Sequence, residues 1–125
     1  MSLKAVIVED EKHSRETLKN LIQEFCINIQ VIGEAASVNE AVTIIKSKQP
    51  DVVFLDIELQ TGNGFDVLNQ VSNQNFEVIF TTAFEQYAIK AVKFSSLDYL
   101  LKPIDLEELQ RAVEKAQTKK KSSRL

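Results

Sequence analysis

The sequence has 125 residues, 44% hydrophobic and 26% charged, which suits one globular domain with a sizeable core and excludes a disordered chain. A formal net charge of −3 argues against a domain that itself grips nucleic acid, which would ask for a clustered basic face. Cys26 is the sole cysteine, so an internal disulfide is excluded. No apolar run is long enough to span a bilayer or resembles a secretory signal, so a soluble cytoplasmic protein with no membrane partner is expected.

Residues 4–8 read as a buried strand, because Ala5-Val6-Ile7-Val8 is continuously apolar. Leu18, Leu21, Ile22 and Phe25 then recur at i, i+3, i+4 and i+7, one face of a helix. His13 is expected to be exposed in its first turn, and Cys26 to be a small packed residue at its end. A second strand is predicted over residues 29–34. Ser37 and Glu40 have capping-box spacing, with Val38, Ala41 and Ile45 as the buried stripe of the helix they open. After Pro50 comes a third strand, 51–55. Gly62-Asn63-Gly64 signals a turn before a short helix carrying Phe65, Leu68 and Val71. A fourth strand, 78–81, precedes a helix carrying Tyr87, Ala88, Ala91 and Val92. A fifth, 99–101, ends at Pro103. Asp105 with Glu108 is a second candidate capping box, and Ile104 with Leu109 has hydrophobic-staple spacing. The last helix is expected to run to about residue 117.

Five strand–helix pairs with strands apolar on both faces predict a parallel sheet between two helical layers. Right-handed crossovers then favour a doubly wound αβα sandwich, five-stranded and flavodoxin-like, in the order 2-1-3-4-5. Residues 1–117 are expected to form this single domain. Residues 118–125, with Lys119, Lys120, Lys121 and Arg124, form a polar basic tail or the start of a linker.

In such a sheet the carboxyl ends of all strands point to one edge, where ligands bind. There the sequence places Glu9-Asp10 with Glu11 following, then Asp56, Thr82 and Lys102. Clustered carboxylates repel one another, and a hard divalent cation relieves that repulsion. Mg²⁺ keeps several waters and takes a few carboxylates plus phosphate oxygen, which suits a site that handles phosphate. An aspartate can act as a nucleophile and form an acyl phosphate. Phosphoryl transfer asks the protein mainly for positioning and charge neutralisation. The cation and Lys102 can neutralise phosphoryl oxygens, and the Thr82 hydroxyl can donate to one. Each residue alone has a plain structural role: a strand-end Asp as a helix cap, a lysine on the surface, a threonine in a turn, Tyr99 on the sheet edge. The joint placement selects Asp56 as the nucleophile.

Val-Glu-Asp-Glu (8–11), Phe-Leu-Asp-Ile (54–57), Asn-Gly (63–64), Thr-Thr-Ala (81–83) and Leu-Lys-Pro (101–103) together resemble the receiver domain of two-component response regulators. The resemblance covers residues 4 to about 117. It implies Asp56 as phosphoacceptor, and Mg²⁺ held by Glu9, Asp10, Asp56 and the backbone carbonyl of Glu58. It also implies Lys102 as a phosphoryl-binding group, Thr82 and Tyr99 as switch residues, and a cis Lys102–Pro103 bond. The implied partner is a sensor histidine kinase, and the implied activity is signalling, with only self-catalysed phosphorylation and dephosphorylation. The face formed by the fourth helix, fifth strand and fifth helix is implied as the output surface and a homodimer interface. Thr-Ala-Phe-Glu-Gln-Tyr-Ala (82–88) and Leu-Asp-Tyr-Leu-Leu-Lys-Pro (97–103) resemble the LytTR class, whose receivers precede a C-terminal DNA-binding domain. DNA contact and transcription control therefore belong to the resemblance and not to these residues.

By the family's geometry, Glu58 and Phe84 flank the in-line path of water to the acyl phosphate. Phe84 is expected to shield it, while Glu58 can accept a hydrogen bond from a water. Gln60 stands where many receivers carry proline and is expected to loosen the loop after Asp56. Three alternatives are weaker. A docking module that works without phosphate usually lacks the acid pair, the threonine or the lysine, all present here. A haloacid-dehalogenase-type aspartyl-phosphate phosphatase wants Asp-x-Asp at the first strand, whereas Asp56 lies on the third. A flavodoxin-type nucleotide binder would want a phosphate-cradling loop where Glu9-Asp10-Glu11 stands.

Overall fold

Apolar runs with no polar face can be satisfied only by layers on both sides, and the computed structural model places them in this way. It describes residues 2–122. Met1 and residues 123–125, including Arg124 of the basic cluster, lie outside the described residues. The elements follow in the order β1 (Leu3–Val8), α1 (Lys12–Phe25), β2 (Ile29–Ala35), α2 (Val38–Lys48), β3 (Val52–Asp56), α3 (Gly64–Gln70), β4 (Glu77–Thr82), α4 (Ala88–Lys93), β5 (Asp98–Leu101) and α5 (Leu106–Ser122). Between β3 and α3 lies a small antiparallel ladder, Glu58–Leu59 against Gly62–Asn63. The five main strands pair in parallel in the order β2-β1-β3-β4-β5, the predicted doubly wound arrangement.

Alternate residues of each strand feed two cores. Val6, Val8, Val53, Leu55 and Phe80 pack under Ala41 and Ile45 of α2, Phe65 and Leu68 of α3, and Ala91 of α4. Ala5, Ile7, Val52, Phe54 and Ile79 pack on the other face against Leu18 and Ile22 of α1 and Leu109, Ala112, Val113 and Ala116 of α5.

The helix starts follow local chemistry. Ser37 accepts from the Glu40 backbone N–H at 3.1 Å, and Asp105 from that of Glu108 at 3.0 Å, so both predicted capping positions are used. Asn63 and Asp66 form a complete capping box at α3, where the sequence suggested only a turn. Glu11 caps α1 through the backbone N–H groups of His13 and Ser14. His13 itself is exposed in the first turn, as expected.

Several expectations are corrected. Phe25, the last residue of α1, is 47% exposed rather than buried. Helix α4 has only six residues and buries Ala91 alone, so Val92 (74% exposed) and Ile89 (77%) face outward. Helix α5 continues to Ser122, past the expected end near 117, so Lys119, Lys120 and Lys121 are helical. Lysine is a good helix former, and cations complement a helix C-terminus. Lys120 also pairs with Asp51 at 2.8 Å and Lys119 with Glu77 at 3.4 Å. In the loop where Gln60 stands, its backbone N–H, which proline would lack, donates to Asp10 Oδ2 at 2.9 Å.

Candidate functional site

Because the sheet is parallel, residues just past each strand collect at one edge. Glu9 and Asp10 follow β1, Asp56 ends β3, Thr82 ends β4, and Lys102 follows β5. Asp56 pairs with Thr81 across β3 and β4, which sets Thr82 one residue nearer that edge. Carboxylate oxygens of Glu9, Asp10 and Asp56 lie within 4.8 Å of one another. Glu9 and Asp56 are buried, and Asp10 is partly exposed. The Lys102 ammonium donates to Glu9 Oε1 and to Asp56 Oδ2, the latter at 3.1 Å. The Lys102–Pro103 bond is cis, as the resemblance implied.

The backbone around these groups is closely held. Arg15 Nη1 donates to the Glu9 carbonyl at 2.8 Å, and Glu9 Oε2 accepts from the Glu11 N–H at 3.2 Å. The Glu58 N–H lies 3.4 Å from Asp56 Oδ1. Gly64 passes so close that a Cβ there would sit 2.7 Å from the Asp56 carbonyl oxygen. Any side chain would push the backbone of Asp56 aside, a constraint indistinguishable in sequence from that of an ordinary turn glycine.

A second group lies along the β4–α4 side. Thr82 is fully buried, and its Oγ1 accepts from the Phe84 N–H at 3.3 Å, leaving the hydroxyl proton to be donated. The Tyr99 hydroxyl donates to the Phe84 carbonyl, and its ring lies 6.3 Å from that of Phe80. Phe84 is exposed and meets Tyr87 edge-on at 6.3 Å. Tyr87, given no role from sequence beyond its place on the helix, donates from its hydroxyl to Glu58 Oε2 at 2.7 Å.

The charge balance has a consequence. Burial pushes the Glu9 carboxyl up to about 7, and the Asp56 charge adds to this, against the opposing pull of Lys102. Burial alone would lower Lys102, but the hydrogen bond to Glu9 and the charges of Asp56 and Glu9 outweigh it and hold Lys102 above its ordinary range. Without divalent cations, the unfolded chain releases the Glu9 proton near 4.5 and the folded chain only near 7. Stability is therefore expected to fall as pH rises through that window, by on the order of 2–3 kcal/mol from this group. Lys102 titrates far above the window and does not contribute. Urea unfolding with chelator at pH 5 and pH 7.5 checks this: the Glu9→Gln variant should lose less stability than the wild type. Equal losses would contradict it.

Three mutually close carboxylate oxygens, two of the groups buried, form a hard donor set. It fits a hard divalent cation, which would relieve the repulsion among the carboxylates. The fold agrees with the comparisons. The family model described as response regulator receiver domain matches residues 5–114. The chain belongs to that family. Sensory transduction protein LytT of Bacillus cereus is 37% identical over 122 residues, which cover 96% of this chain and 49% of that protein. Transcriptional regulatory protein BtsR of Escherichia coli K12 is 36% identical over 112 residues, 89% of this chain and 46% of that protein. Among solved structures, the REC domain of AraT, a response regulator from Geobacillus stearothermophilus, superposes with a TM-score of 0.89 at 29% identity, covering both chains fully. The resemblance to the LytTR class is consistent with LytT among the relatives. This receiver spans about half the length of the curated relatives it matches. Among its described residues, no helix is long and apolar enough to cross a membrane.

Proposed function

We propose that this receiver takes one phosphoryl group from a sensor histidine kinase onto Asp56 and relays the event through α4, β5 and α5. The observation that carries this reading is the convergence of the Glu9, Asp10 and Asp56 carboxylates with Lys102 at one sheet edge. Asp10, Asp56, Glu9 and the Glu58 backbone carbonyl are the groups to hold Mg²⁺. When bound, the ion neutralises phosphoryl oxygens during transfer. Asp56 supplies the attacking oxygen. Its bond to phosphorus forms as the donor's P–N bond breaks, and the electron pair leaves with the imidazole nitrogen. Lys102, shared between Glu9 and Asp56, is placed to turn toward a phosphoryl oxygen.

The relay uses the second group. Turning the Thr82 hydroxyl toward a phosphoryl oxygen would loosen the contact with the Phe84 N–H. The Phe84 carbonyl is held by Tyr99, so β5 and α4 would follow. The outward Ile89 and Val92 make the α4–β5–α5 face the candidate surface for output and for a homodimer. In this reading the receiver, with α5 as its last element, is the signalling unit of a longer regulator with a DNA-binding half, and the protein controls transcription in the cytoplasm. Phe84 and Glu58 tune the lifetime of the phosphorylated state. On addition of beryllofluoride and Mg²⁺, amide NMR shifts are expected to cluster at residues 82–110 as well as around Asp56. Shifts confined to the rim of Asp56 would contradict the relay.

A further inference from the structure

The Glu58 residue is pulled in two directions. Its backbone N–H is tied to the phosphoacceptor, at 3.4 Å from Asp56 Oδ1, while its carboxylate is bonded to the Tyr87 hydroxyl at the start of α4. Tyr87 is not free to wander. Its ring meets Phe84 edge-on at 6.3 Å and 88° and lies 6.3 Å from Phe65, and its carbonyl accepts the Ala91 N–H at 2.9 Å. A short bond to a charged acceptor from a ring fixed on two sides is a directed contact between the loop after β3 and the loop after β4.

We propose that Tyr87 is a positioning residue for loss of the phosphoryl group: by holding the Glu58 carboxylate against the start of α4, it keeps that carboxylate from guiding the attacking water. This rests on the reading of Asp56 as phosphoacceptor and deepens it. In hydrolysis the water oxygen bonds to phosphorus as the P–O bond to Asp56 breaks. The bonding pair returns to the Asp56 carboxylate, inorganic phosphate leaves, and the water proton passes to a base. With Glu58 held, that base is solvent. A Glu58 freed from Tyr87 can accept a hydrogen bond from the incoming water and take its proton, which lowers the barrier.

The test uses the full chain as wild type, Tyr87→Phe, Glu58→Gln and the double variant. Each is loaded with acetyl phosphate and Mg²⁺, freed of donor, and followed by intact mass. Phenylalanine keeps the ring against Phe84 and Phe65 and removes only the hydroxyl. Tyr87→Phe is expected to dephosphorylate about threefold or more faster than the wild type, well below the ~100-fold of a fully engaged general base. The double variant is expected to match Glu58→Gln, since no carboxylate remains to be held. Wild-type decay in Tyr87→Phe, or an equal acceleration in the Glu58→Gln background, would overturn the bridge and leave Asp56 as the acceptor. Failure of the wild type to take up any phosphoryl group would overturn that reading and this inference with it.

Discussion

Asp56→Asn is expected to take up no phosphoryl group from acetyl phosphate under conditions in which the wild type is labelled. Asparagine keeps the shape of the side chain at the end of β3 but has no anionic oxygen to attack phosphorus. The loss should be complete, because Glu9 is engaged with Lys102 and the Glu11 backbone, and Asp10 with the Gln60 N–H. The variant should still fold, since the substitution removes one charge from a crowded acidic cluster and preserves volume. Gel separation of phosphorylated from unphosphorylated protein reads the result. A labelled fraction equal to that of the wild type would assign the acceptor elsewhere.

The second large effect is expected at Asp10. Of the three clustered carboxylates it is the partly exposed one, and Lys102 pairs with the other two. Asp10→Ala removes a hard oxygen ligand and its charge together and also releases the Gln60 N–H. Mg²⁺ affinity should fall at least tenfold, about the scale seen when even outer-shell partners of a metal are lost. Phosphorylation should slow in parallel at low Mg²⁺ and recover partly at high Mg²⁺. Magnesium titrations of both proteins, read by NMR, decide it: equal affinities would place the ion away from Asp10.

The fold was legible because its signals are local. A continuous apolar run such as Val52-Val53-Phe54-Leu55 has one stable placement, inside a covered parallel sheet, and strand ends then converge by topology alone. That is why Glu9, Asp10, Asp56 and Lys102 could be brought together from sequence, although they lie far apart in the chain. Contacts set by backbone groups or by loop-to-loop distance left no such trace. Whether the Gln60 N–H reaches Asp10 depends on how a two-residue ladder turns, and the identity of Gln60 showed only that a donor existed. The Tyr87–Glu58 bond joins two loops whose relative height the pattern does not encode. Apolar spacing also misread Val92, because a six-residue helix touching the sheet through Ala91 has room to bury only one position. At Phe25 the helical period continued to the last residue of α1, but that residue is exposed.

The chemical identity of the acceptor is the central claim, and borohydride trapping reads it directly. An acyl phosphate is reduced by borohydride, whereas a free carboxylate is not, so a phosphorylated aspartate is recovered as homoserine. The wild type is phosphorylated with acetyl phosphate and Mg²⁺, reduced, digested and mapped by mass spectrometry. Homoserine is predicted at position 56 alone, with Glu9 and Asp10 recovered intact and no conversion when Mg²⁺ is withheld by chelator. An unmodified Asp56, or reduction at Asp10 or Glu9 in its place, would contradict the account.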